Sequence, residues 1–103
     1  MKVLDLAKVQ GNSMLPTLAH GDIVICCDWG AIKVNDIVIA DVLNVGMVVK
    51  RIESIIGENI VLKSDNKRLG SSVCGIDIPK SSILGRVLLR VSSNLRFNLI
   101  KGV

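Results

Sequence analysis

Aromatic side chains are almost missing from this chain: of 103 residues only Trp29 and Phe97 carry an aromatic ring, and tyrosine does not occur. A core without that bulk has to be filled by Val, Ile and Leu, which favours strands. The scarcity also removes the stacking platform on which single-stranded nucleic acids are held. Histidine occurs once, His20, and cysteine three times, Cys26, Cys27 and Cys74, with no Cys-x-x-Cys pair. Such a set does not complete a tetrahedral zinc site, so no metal and no cofactor are expected. The thiols read as buried and free, in a reducing compartment. No apolar run approaches the ~18 residues that a membrane span requires. The opening MKVLDLAKV is interrupted by Asp5 and Lys8, which argues against a signal peptide or an anchor. The expected setting is cytoplasmic, with no membrane partner.

What is present is charge, unevenly spread. Residues 1–50 hold four Lys/Arg against five acids, and residues 51–103 hold nine against four, for a net charge of +4. A basic half invites nucleic acid. Its cations are dispersed, however, and direct nucleic-acid binding by this domain is not expected. The length fits one domain over residues 1–103 with a single modest core.

Strand-like runs separated by Gly, Asn and Asp organise the chain. They cover Val3–Val9, Asp22–Cys27, Asp36–Leu43, Val45–Ser54, Asn59–Ser64, Ser72–Ile76 and Gly85–Val91, with Leu95–Ile100 as a further candidate. Asn44 and the stretch Ile56-Gly57-Glu58-Asn59 mark hairpin turns. Asp77–Ile83 reads as an irregular loop or a single helical turn. Only Ser13–Ala19 suggests a helix, and a short one. Hairpin-linked strands predict a mainly β, mostly antiparallel domain.

Against that background GNSMLPTLAHGDIVICC, residues 11–27, sets one hydroxyl, Ser13, at the mouth of an apolar segment. Ser13 suits the N-cap of a short helix. It equally suits a nucleophile, given a base to take its proton. Gly11 permits a sharp turn before it and Pro16 fits a first helical turn. The N–H groups of Asn12, Ser13 and Met14 are then the natural donors to an oxyanion.

His20, the usual kind of base, reads as an exposed turn residue, so a lysine held neutral by burial is the other choice. Among eight lysines, Lys50 stands out in GMVVKRIES. Strand alternation puts Val48, Lys50 and Ile52 on one face, and Val49, Arg51 and Glu53 on the other. A lysine between two branched aliphatics either snorkels to water or works as a base. In the second case its pKa falls from ~10.4 towards ~7–8. Met14, Leu15, Val48 and Ile52 are the expected lining of a substrate cleft. Asp22 reads as a tie for the turn before its strand, and Ser64-Asp65-Asn66 as a strand-end turn bonded to nearby backbone, with a cleft-shaping role as the alternative.

GNSMLPTLAHGDIVI, GMVVKRIES and IVLKSDN, in that order, resemble the LexA-type serine peptidase domain of LexA, UmuD and phage CI-type repressors. That domain shares its core with type I signal peptidases. The motif Gly-x-Ser-Met-x-Pro-Thr-Leu matches Gly11 to Leu18, Gly-Asp with its apolar strand matches Gly21 to Ile25, and Val-Lys-Arg matches Val49 to Arg51. GRVLLRV looks like the closing strand. The resemblance implies a twisted, coiled antiparallel β-fold with one short helix after the nucleophile, and a Ser13–Lys50 catalytic dyad. It further implies a homodimer and a substrate bond in the protein's own N-terminal hinge, at Ala-Gly or Cys-Gly. In that family a RecA filament on single-stranded DNA promotes the cut during the SOS response, so the resemblance implies such a filament as a partner. Twelve residues precede Ser13 here, with no DNA-binding helices and no hinge. Cys74-Gly75 sits in an expected strand and reads as structural. An excised domain, a processed product and a short gene all fit. A non-catalytic dimerisation module of a repressor, or a signal-peptidase-like protein, are the alternative readings.

Overall fold

The computed structural model describes residues 4–67, 77–92 and 97–100. Among the described residues eight strands form one sheet: β1 (Leu4–Lys8), β2 (Ile23–Cys27), β3 (Ile37–Val42), β4 (Gly46–Ile56), β5 (Asn59–Lys63), β6 (Asp77–Pro79), β7 (Ile83–Val91) and β8 (Phe97–Leu99). The order is β1-β2-β7-β3-β4-β5-β6, with β8 also on β7. Every pairing is antiparallel. The mainly β architecture therefore matches the sequence pattern.

Two hairpins fall where turn residues predict them. Leu43-Asn44-Val45 joins β3 to β4, with Asn44 at φ 66°, and Gly57-Glu58 joins β4 to β5, with Gly57 at φ 60°. Positive φ is what Asn and Gly tolerate at such positions. Asp77–Ile83, expected as a loop or a helical turn, supplies the short β6 and a 3-10 turn, Lys80–Ser82. The expected strand Ser72–Ile76 and the Cys74-Gly75 pair lie outside the described residues.

The short helix expected over Ser13–Ala19 is replaced by a run of turns, with one helix-like bond from Leu18 N–H to Met14 O at 2.9 Å. Pro16 has no N–H to give, and a residue preceding proline is steered away from helical angles. The segment takes its shape from two apolar anchors instead, since Met14 and Leu18 are fully buried.

Two aliphatic clusters hold the sheet. One gathers Val9, Met14, Leu18, Val24, Cys26, Ile37, Ile39 and Val87, the other Val38, Ala40, Ile52, Ile60, Leu62 and Ile78. Neighbours along β3 go to opposite clusters, as strand alternation requires. Ile37 and Ile39 belong to the first, Val38 and Ala40 to the second. Cys26 and Cys27 are buried free thiols. Burial, with Asp5 and Cys27 nearby, pushes the Cys26 thiol up to about 11.

β4 carries a bulge that decides what its lysine meets. From the hairpin, Ile56 pairs Asn59, Ile55 pairs Ile60 and Ser54 pairs Val61. After a shift at Glu53, Ile52 pairs Leu62 and Arg51 pairs Lys63. An uninterrupted register would bring Asp65 opposite Lys50. The extra residue brings Ser64 there instead.

Candidate active site

Lys50 is buried, 4% exposed, although it is a lysine on a strand. Its neighbours on that face, Val48 and Ile52, belong to or pack on the second aliphatic cluster. Its Nζ donates to Ser64 Oγ at 2.8 Å. β5 ends at Lys63, so the shifted register, carried one step on, sets these two side chains across from each other.

Ser13 arrives on the loop between β1 and β2. The base of this loop is closed by Val9 N–H to Asp22 O at 2.8 Å and Gly21 N–H to Val9 O at 2.9 Å. Asp22 Oδ2 accepts the Ala19 N–H at 2.9 Å, the expected tie before β2. Arg90, reaching from β7, donates Nη1 to Thr17 O at 2.6 Å and holds its Nε 3.8 Å from Asp22. His20 is exposed, and its Nδ1 accepts the Gly11 N–H at 2.9 Å, which spans the neck of the loop.

Ser64-Asp65-Asn66, expected as a strand-end turn bonded to nearby backbone, instead joins the two halves. Ser64 meets Lys50. The carboxylate of Asp65 takes a two-pronged bond from Arg51, Nε to Oδ1 and Nη2 to Oδ2, both 2.7 Å. It also accepts the Thr17 hydroxyl. Asn66 donates its backbone N–H to Ser13 O and its Nδ2 to Asn12 O, each at 2.9 Å. Three consecutive residues thus bond the lysine, its arginine neighbour and the backbone of the serine.

The ion pair is shielded, its side chains only 14% and 12% exposed. Burial pushes the Asp65 carboxyl up, but the bonds from Arg51 and Thr17 outweigh it, and the group ends below the usual carboxylate range. The bond to Asp65 raises the Arg51 guanidinium above its ordinary value. Arg51 also donates Nη1 to Asn35 O at 2.6 Å, tying β4 to the loop before β3.

Ser13 and Lys50 line the same cleft, of about 280 Å³, together with Met14, Ile39, Met47 and Val48. The other two residues expected to line it do not. Ile52 is wholly buried in the second cluster, one alternation beyond Lys50, and Leu15 is half-buried outside the cleft. In their place the cleft takes its apolar wall from Ile39 and Met47, and from Ala7 and Val9 at the end of β1. Strand pairing across β3 and β4 sets Ile39 beside Val49, a contact that sequence alternation alone does not reveal. Of the three loop residues expected to offer N–H groups, Ser13 and Met14 line this space and Asn12 does not.

A family model described as Peptidase S24-like matches residues 4–88. The chain belongs to the Peptidase S24-like family. The match runs from β1 into β7 and so takes in the serine loop, the lysine strand and the Ser64-Asp65-Asn66 turn. No curated protein matches the chain. Within the S24-like fold the sequence-matched motifs Gly11–Leu18, Gly21–Ile25 and Val49–Arg51 are the loop that carries Ser13, the entry into β2 and the middle of β4. Among the described residues no helix is long and apolar enough to cross a membrane.

Proposed function

We propose that this domain is a serine endopeptidase in which Ser13 is the nucleophile and Lys50, uncharged, is its base. The observation that carries the reading is a lysine 4% exposed on the wall of the cleft that Ser13 also lines. Burial disfavours an ammonium, and an amine without its extra proton can accept the serine's. Ser64, bonded to the same Nζ, fixes where that amine points.

In the proposed reaction Ser13 Oγ bonds to the peptide carbonyl carbon while its proton passes to Lys50 Nζ. Backbone N–H groups of Ser13 with Asn12 or Met14 receive the developing oxyanion. As the C–N bond breaks, the Lys50 ammonium returns the proton to the leaving amine. A water then gives its proton to Lys50, attacks the acyl-serine and releases the acid, and Ser13 regains its hydrogen.

The substrate in this reading is an extended peptide, a hinge preceding such a domain in the same chain or in a partner copy. In the same reading the domain is part of a LexA- or phage-repressor-like regulator that acts as a homodimer and is triggered through a RecA filament. The test is incubation at pH 9–10 with a hinge peptide or a longer chain carrying that hinge. Cleavage that vanishes in both Ser13→Ala and Lys50→Ala supports the peptidase. A folded, dimeric wild type that cuts nothing supports a non-catalytic regulatory module.

A further inference from the structure

A second cavity, of about 340 Å³, opens between the loop after β2 and the start of β7, and shares no lining residue with the cleft of Ser13. Arg86 and Lys80 bring cations to it, Asp28 one acid, and Trp29, Ile32, Ile83 and Leu84 its apolar wall. Ile32 and Ile83 pack on the second aliphatic cluster, so part of this wall is continuous with the core.

Arg86 is held there without satisfying its donors. Its strand partners are Cys27 on one side and Val38 on the other, both buried, so its stem rises between closed neighbours. Nη2 makes one long contact, 3.4 Å, to Trp29 O. Nε is shielded from water and meets no acceptor among the described residues. A guanidinium offers five N–H donors in a planar fork, and a shielded one left unpaired is costly. The adjoining loop keeps room for that fork, because a Cβ on Gly30 would lie 2.9 Å from Nη2.

We propose that this cavity binds a singly charged carboxylate with an apolar body. The carboxylate accepts from Arg86 in the two-pronged geometry guanidinium prefers, in place of the long contact to Trp29 O. Two cations against Asp28 leave a single positive charge, which suits a monoanion and disfavours a doubly charged phosphate. The aliphatic and indole wall takes the rest of the ligand. A free aliphatic acid and a peptide's C-terminal carboxylate share this chemistry.

The experiment follows the Arg86 Nε–H resonance by NMR in the intact chain during titration with N-acetyl-leucine, N-acetyl-leucinamide, hexanoate and inorganic phosphate. Saturable shifts with the two carboxylates, and none with the neutral amide, are expected. A tighter N-acetyl-leucine identifies a peptide terminus as the source, and equal affinities identify a free acid. Lys80→Met should weaken binding several-fold, and Arg86→Met, followed through the indole N–H resonance of Trp29 in the same cavity, should abolish it. Should Arg86→Met fail to fold, Arg86→Lys, which keeps the charge but loses the planar fork, should weaken binding several-fold, followed through the same Trp29 resonance. Equal shifts from acid and amide, equal binding of phosphate, or no saturation at all would overturn the proposal and leave a water as the partner of Nε. None of these readouts depends on peptidase activity.

Discussion

Lys50 and Ser13 reach one cleft by opposite means. The lysine sits in the middle of an eleven-residue strand, its position set by pairing to β3 and by the aliphatic cluster of Ile52, Ile60 and Leu62. The serine sits on a run of turns, held by two buried anchors, Met14 and Leu18, and by polar ties from residues remote in the chain: Arg90 to Thr17, Asp65 to Thr17, and Asn66 to Ser13 and Asn12. The strand sets its side chain by pairing and apolar packing, and adds a single side-chain tie, from the amine to Ser64. A loop needs its carbonyls and N–H groups tied down one by one.

The comparison can be broken most forcefully in the cores. Leu62→Ala under the lysine and Leu18→Ala under the serine loop should each cost about 2–5 kcal/mol, measured by urea unfolding, because both side chains are fully buried. Their effects on cleavage per folded molecule should differ. Leu18→Ala releases an anchor of the loop itself and should lower the rate, whereas Leu62→Ala leaves a paired strand that still presents Lys50.

Next in size is Asp65→Asn, which removes the charge between the halves. The loss of charge-assisted bonds to Arg51 should cost about 1.5–3 kcal/mol at pH 7. Asp65 also predicts an acid limb. Its carboxyl is held below the usual value, so in that window the unfolded chain binds more protons, and stability rises with pH. The wild type should therefore keep the Asp65 contribution above about pH 4 and lose it as pH falls through the folded value. In Asp65→Asn that part of the loss should disappear from unfolding curves taken between pH 7 and pH 3. An unchanged acid limb would mean that the pair adds nothing.

Asn66→Ala sharpens the contrast at a smaller scale. It deletes the Nδ2 bond to Asn12 O but keeps the backbone bond to Ser13 O. Stability should fall by about 0.5–1.5 kcal/mol. Smallest of all, Cys26 in the folded protein should resist iodoacetamide at pH 8, because burial holds its thiol near 11. Rapid alkylation without unfolding would contradict that burial.

The two sides were also unequally legible in the sequence. Alternation in GMVVKRIES was enough to put Lys50 among aliphatics, since strand period depends only on neighbours. Carried past Ile52, the same alternation would fail, because the Glu53 bulge returns Ile55 to the side of Ile52 and moves Ser64, not Asp65, opposite Lys50. Nothing in a single sequence marks that one-residue shift, yet it decides whether the lysine faces a hydroxyl or a carboxylate. The helix expected at Ser13–Ala19 failed for a related reason. Its apolar residues are spaced for anchoring, while the ties that shape the loop come from residues 65, 66 and 90, remote in the chain. Asp65 and Asn66 were read as local turn formers because their partners are not local.

The account rests most heavily on the state of one amine. Titration of Lys50 by NMR of its 13Cε, followed from pH 6 to pH 11 in the folded protein, measures it directly. The account predicts a midpoint well below the ~10.4 of a free lysine side chain, with Ser13→Ala still folded and the amine still buried. A Lys50 that stays charged up to pH 10 would contradict it, for a protonated amine cannot take the proton of Ser13.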